Sequence, residues 1–150
     1  METEKIESKV SELLSMPLWG IRRGIGTFLT FEAGRLDRER SSEGVDHGEW
    51  HLWVRMAFWR VIRGSRIIAS AMEDEDDIDG RDDIFDGQRS IIESVTVGRA
   101  FHDLSIRCSE GLAIEVFVAT SRPDDEQWAI YFPDRQVIST YGDGRIVIGK

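Results

Sequence analysis

His47, Glu49 and His51 stand at alternate positions of one short run and are the sharpest chemical feature of the chain. Side chains two residues apart share one face of an extended strand. Two imidazoles and a carboxylate are the ligand types of a mononuclear metal site, so the run is a candidate metal set. The competing reading is a polar strand face with two partly exposed histidines, which Gly48 would bend. His102-Asp103 holds the remaining histidine and could add a ligand in space.

Other constellations say less. Glu75-x-Asp77-x-Asp79-Gly80-x-x-Asp83-x-x-Asp86 approximates a calcium-loop register, with Glu at the first position and Asp at the last where Asp and a bidentate Glu are usual. No helical pattern flanks it, so an exposed acidic linker is the better reading. Gly20, Gly24 and Gly26 precede a strand rather than a helix; they suit tight turning or close strand approach, not a phosphate cradle. No G-x-S-x-G elbow occurs. Cys108, the single cysteine, lies in an alternating apolar run and reads as a small buried hydrophobe. No residue is assigned as catalytic. Of the five tryptophans, Trp50 and Trp128 belong to expected core faces. Trp53, with Arg55 beside it, and Trp59 would form an aromatic and arginine patch that anchors a partner, unless that second face is also packed.

The elements that position these residues are mostly strands. Ile6, Val10, Leu13 and Leu14 recur at helical spacing, and Pro17 ends the pattern, which predicts one amphipathic helix over Glu4 to Ser15. Strands are predicted over Gly24 to Phe31 and over Glu49 to Ile62. In the second, Trp50, Leu52, Val54, Met56 and Phe58 form the apolar face. Arg66 to Ala71 returns as its partner after the Arg63-Gly64-Ser65 turn. Further strands are expected over Ile91 to Val97, Ala100 to Cys108, Leu112 to Ala119, Gln127 to Phe132 and Gln136 to Tyr141.

Two halves resemble one another. His47 to Val54 matches Asp125 to Phe132 at an offset of 78, which also carries Gly64 onto Gly142. Phe28 to Gly34 roughly matches Ser105 to Gly111. The expected fold is mainly β, an α+β chain with one N-terminal helix and two pseudo-repeated antiparallel β units forming a sandwich or partly open barrel. The domain is single over 1–150: helix 1–17, first half 18–72, acidic linker 73–88, second half 89–150. The alternative is two generic hairpins.

Composition bounds the function. With 150 residues, 41% hydrophobic and 31% charged, the chain is globular. Nine carboxylates against one arginine between Glu73 and Asp86 hold eight of the nine net negative charges. Nucleic acid, which needs a basic footprint, is excluded as the expected partner. No apolar run approaches a bilayer span and no signal-type stretch opens the sequence, so a cytoplasmic address without a membrane partner is expected.

Trp19-Gly20-x-x-x-Gly24-x-Gly26-Thr27-Phe28-Leu29-Thr30-x-Glu32-Ala33-Gly34, with Gly48 to Trp53 (G-E-W-H-L-W) after it, resembles a bacterial family of uncharacterised proteins. That family's pattern has serine at Thr27 and phenylalanine at Ala33. Trp128 to Gln136 is similar to a W-x-L-x-x-P-D-G hairpin of small bacterial β domains, with Arg135 in place of the turn glycine. The resemblance covers about a third of the chain. It implies a bacterial protein and carries no activity.

The leading expectation is a protein-binding module, by analogy with immunity partners of basic toxins or effectors. Its binding residues would be Trp53, Arg55, Trp59, Asp74, Asp76, Asp77 and Asp79. A homodimer using the same aromatic patch is a further reading. The alternative is a small-ligand or metal-binding protein using the His47/Glu49/His51 face, with no other cofactor expected. Under the first reading, changing Asp74, Asp76, Asp77 and Asp79 to Asn slows association with a basic partner and leaves dissociation nearly unchanged. The wild-type on-rate also falls steeply with salt. Association kinetics at low and high salt measure both, and indifference to both leaves the segment a solvated linker.

Overall fold

The computed structural model describes residues 2–42, 44–73 and 90–150. The acidic segment, with Asp74, Asp76, Asp77 and Asp79 and the calcium-like register, lies outside the described residues. An N-terminal helix, α1 (Glu2–Val10), runs into a 3-10 turn (Ser11–Leu13). It buries Ile6 and Val10, with Leu13 after it, while Leu14 remains exposed. Among the described residues eleven strands follow: β1 (Pro17–Arg23), β2 (Leu29–Leu36), β3 (Gly48–Val54), β4 (Phe58–Arg63), β5 (Arg66–Ser70), β6 (Ser90–Val97), β7 (Leu104–Cys108), β8 (Leu112–Phe117), β9 (Glu126–Tyr131), β10 (Val137–Tyr141) and β11 (Ile146–Gly149). Every pairing is antiparallel. Over the described residues the protein is thus mainly β with an N-terminal helix, and the sheet they form does not close into a barrel. No described helix is long and apolar enough to cross a membrane.

The strand order is β11-β10-β9-β3-β2-β1-β6-β7-β8-β4-β5. Outward from the β1–β6 contact, one side reads β1, β2, β3, β9, β10 and the other β6, β7, β8, β4, β5. The arrangement is therefore two-fold, with β11 added at one edge. Each half gives strands to the other: β9 pairs with β3, and β4 pairs with β8. The registers agree in detail. Leu29, Val54 and Trp128 lie opposite one another in β2, β3 and β9. Leu104, Val116 and Trp59 do so in β7, β8 and β4.

The structural counterpart of Trp128 is accordingly Trp59, not the Trp50 matched at an offset of 78. Both are fully buried. The indole Nε1 of Trp59 donates to Thr27 O in the β1–β2 loop at 2.6 Å, and that of Trp128 donates to His102 O in the β6–β7 loop at 2.7 Å. The offset of 78 misleads because β3 and β9 are both Trp-containing strands with the same alternation, yet they are neighbours in the sheet rather than repeats.

The expected strand from Glu49 to Ile62 is also two strands. Trp50, Leu52 and Val54 are buried, and then Ala57, Trp59 and Val61 are. Burial moves from even to odd positions across Arg55–Ala57, a phase change that a continuous strand of period two cannot make. Met56 is exposed as a result, and Trp59 turns into the core instead of joining a surface patch. The buried apolar side chains of both halves form a single cluster.

Replacing either Trp59 or Trp128 by Phe leaves a carbonyl unpaired and a cavity at equivalent places. Each change is expected to cost about 2–3 kcal/mol. Urea unfolding of the two variants measures this, and the two losses should be similar.

Candidate functional site

The face of β2 and β3 turned away from the core carries one cross-strand row. Trp19 in β1 lies opposite Glu32 in β2, Glu32 opposite His51 in β3, His51 opposite Tyr131 in β9, and Tyr131 opposite Val137 in β10. Side chains directly opposite one another in an antiparallel pair are within contact distance. Sequence-distant residues therefore meet here through register alone.

Glu32 is the centre of the row and only 3% exposed. A buried carboxylate needs partners. The Gly48 N–H donates to its Oε1 at 3.0 Å. The Nδ1 of His51 lies 2.8 Å from Oε2 and 2.9 Å from Oε1, and the Nδ1 of His47 lies 3.3 Å from Oε1. The two imidazoles meet edge to face, with centroids 4.6 Å apart.

Two glycines make room for this carboxylate. A Cβ at Gly20, which sits at φ +64° beside an irregularity in the β1–β2 register, would come within 3.2 Å of Glu32 Cγ. A Cβ at Gly48 would meet Ala33 O at 2.6 Å and Glu32 Cβ at 3.2 Å. The close strand approach expected for Gly20 is what it provides.

The long β2–β3 connection supplies the rest of the floor. It brings His47 over Glu32 and carries Arg40, whose Nη1 donates to Glu49 O at 2.9 Å and whose Nη2 donates to Phe132 O. Arg40, His47, His51, Trp53, Tyr131, Arg135, Gln136 and Val137 enclose a pocket of about 290 Å³. Asp37 lies 3.7 Å from Arg40, and Glu39 lies 3.4 Å from the largely exposed Arg135. Burial, reinforced by the nearby Glu126 carboxylate, raises the Tyr131 phenol above its ordinary value. It stays a neutral hydroxyl at physiological pH.

Of the expected metal set, His47 and His51 come together and Glu49 does not. Glu49 Oε1 instead accepts the Arg35 N–H at 2.8 Å. The carboxylate facing both histidines is Glu32, and the ligand atoms of Glu32, His47 and His51 lie within 4.8 Å of one another. Local spacing could not reveal this, because Glu32 joins His51 only across a strand pair. The available signal was a charged residue between two apolar ones, Phe31 and Ala33.

Of the expected anchor residues, Trp53 lines the pocket and Arg55 stacks on its ring at 3.8 Å. Trp59 is in the core. His102 gives its carbonyl to Trp128 and is not part of the Glu32 cluster. Cys108 is buried, and burial, with the Glu93 charge, pushes its thiol up to about 12, so it is no nucleophile.

The equivalent row in the other half runs Arg107, Ala113, Ile62 and Ile67. It holds no carboxylate–imidazole set, and only a three-residue turn (Ser109–Gly111) joins β7 to β8. The fold itself therefore does not require the Glu32 cluster. No family model, curated protein or solved structure matches the chain.

Gly48→Ala forces a methyl group against a strand carbonyl and the Glu32 stem. It is expected to destabilise the protein by about 2 kcal/mol. It should also shift the His47 and His51 ring resonances, and thermal unfolding together with NMR of the histidine rings measures both effects.

Proposed function

We propose that the protein binds a small ligand, a compact planar anion such as an aromatic carboxylate, in the pocket beside Trp53 and Tyr131. The observation that carries this reading is the wall itself. In a chain of net charge −9, two arginines and two imidazoles line one pocket. The Glu49 and Phe132 carbonyls hold Arg40, and Arg135, paired with Glu39 at the exposed rim, is the guanidinium that can turn to a ligand. Arginine recognises carboxylate oxygens in a fixed, planar geometry. Trp53 and Tyr131 offer flat apolar faces for the body of the ligand. Trp53 Nε1 is also a buried donor without a hydrogen-bond partner among the described residues. A volume of about 290 Å³ is at the lower edge of the roughly 300–1,000 Å³ of small-molecule sites, so the ligand is small.

Arg135 supports the same reading. It sits in the β9–β10 turn at φ +74°, where glycine would be relaxed. A side chain kept in that conformation costs about 1 kcal/mol or more, and such costs gather at binding sites. The protein-module reading draws its support from the acidic segment, and Trp59 no longer contributes an anchor to it.

Benzoate and its neutral counterpart benzamide are suitable probes, with Trp fluorescence as the readout. Benzoate is expected to bind saturably and benzamide at least about tenfold more weakly, because a charge-assisted bond is lost. Arg135→Gly is expected to weaken benzoate by about tenfold while leaving stability unchanged or higher by up to about 1 kcal/mol. Equal binding of both probes, or none of benzoate, would discard the reading.

A further inference from the structure

We infer that Glu32, His47 and His51 bind a divalent transition-metal ion, with zinc as the probe, at the floor of the pocket. This inference stands on the carboxylate–imidazole cluster and not on the anion reading. The donor set is two imidazoles and one carboxylate, the ligand chemistry of zinc and of other late first-row ions.

The spacing suits such an ion. Bonds of about 2.0–2.2 Å at tetrahedral angles separate ligand atoms by about 3.4 Å. The Nδ1 atom of His47 lies 3.3 Å from Glu32 Oε1, and that of His51 lies 2.8 Å from Oε2. The three ligand atoms lie within 4.8 Å of one another, so the ion would open the His51 contact slightly and draw the set together to the tetrahedral spacing. The ion would bind both Nδ1 atoms with each neutral ring in its Nε2–H tautomer.

The surrounding structure holds the ligands in place. Glu32 and His51 are fixed as a directly opposed strand pair. Glu32 is further held by the Gly48 N–H, the kind of supporting bond that orients ligating groups. The His47 backbone N–H accepts no freedom either, since it donates to Ser41 Oγ at 2.9 Å. Three protein ligands leave a position open, and both imidazoles line the pocket, so that position is available to water or to an anion.

The test is calorimetric titration of the full-length, chelator-treated protein with zinc chloride alone. One ion per chain is expected. Glu32→Gln, His47→Gln and His51→Gln should each weaken binding by more than about tenfold. Glu49→Gln, which removes the carboxylate nearest in sequence but outside the cluster, should change it less than about threefold. Near-UV circular dichroism checks the folding of each variant. Should Glu32→Gln fail to fold, His47→Gln together with the visible spectrum of the cobalt(II)-loaded wild type decides. Intense four-coordinate bands that vanish in His47→Gln support the site. No zinc binding by the wild type, undiminished binding in the two histidine variants, or a loss in Glu49→Gln as large as in His47→Gln would overturn it. Because benzoate is absent from this titration, its failure leaves the anion reading to its own test.

Discussion

Reciprocal strand exchange between the halves is the constraint on which the rest of the structure depends. β4 and β5 leave the first half to pair along β8, while β9, β10 and β11 leave the second to pair along β3. Among the described residues, the direct contact of the halves at β1 and β6 is short: Pro17 pairs with Ile91 and Leu18 with Ser90, and Ile92 exchanges backbone bonds with Ser15 and Met16. Most of what joins them is therefore the exchanged strands and the single core beneath them. The two buried indole bonds, Trp59 to Thr27 and Trp128 to His102, tie each exchanged strand back to a hairpin loop of the half it left. A buried carbonyl left without such a donor would cost more than the bond itself contributes.

The pocket is a product of that exchange. His51 belongs to the first half and Tyr131 to the second, and they are neighbours only because β9 lies along β3. Arg40, from the first half, is held by carbonyls of both Glu49 and Phe132. The two-fold arrangement also makes the site's asymmetry informative. The same row in the other half holds Arg107, Ala113, Ile62 and Ile67, on an equally ordered set of strands. A buried carboxylate between two imidazoles is an electrostatic burden where an apolar pair would serve folding as well. Its presence in one half only, under a longer connection that adds His47 and Arg40, separates the site from the needs of the fold.

Charge on the molecule is divided in the same way. The acidic excess is concentrated between Glu73 and Asp86, while the pocket lining holds two arginines and two histidines, each facing a carboxylate. Surface pairs such as Arg135 with Glu39 are weak in water and do little to cancel the field inside a concavity.

Much of this architecture is legible in local sequence. Alternation in β3 marks Trp50, Leu52 and Val54 as core and places Glu49, His51 and Trp53 on the other face. Helical spacing marks the N-terminal helix. These features depend on neighbours two to four residues away, where backbone geometry alone decides which face a side chain takes. Tertiary structure decided the rest. It broke the long apolar run at Arg55–Ala57, made Trp59 rather than Trp50 the partner of Trp128, and set Glu32 rather than Glu49 against the histidines. Each of these turns on the register between strands far apart in the chain. Register is chosen by inter-strand hydrogen bonds and by burial of both halves in one core, and a shift of a single residue would carry every side chain to the opposite face.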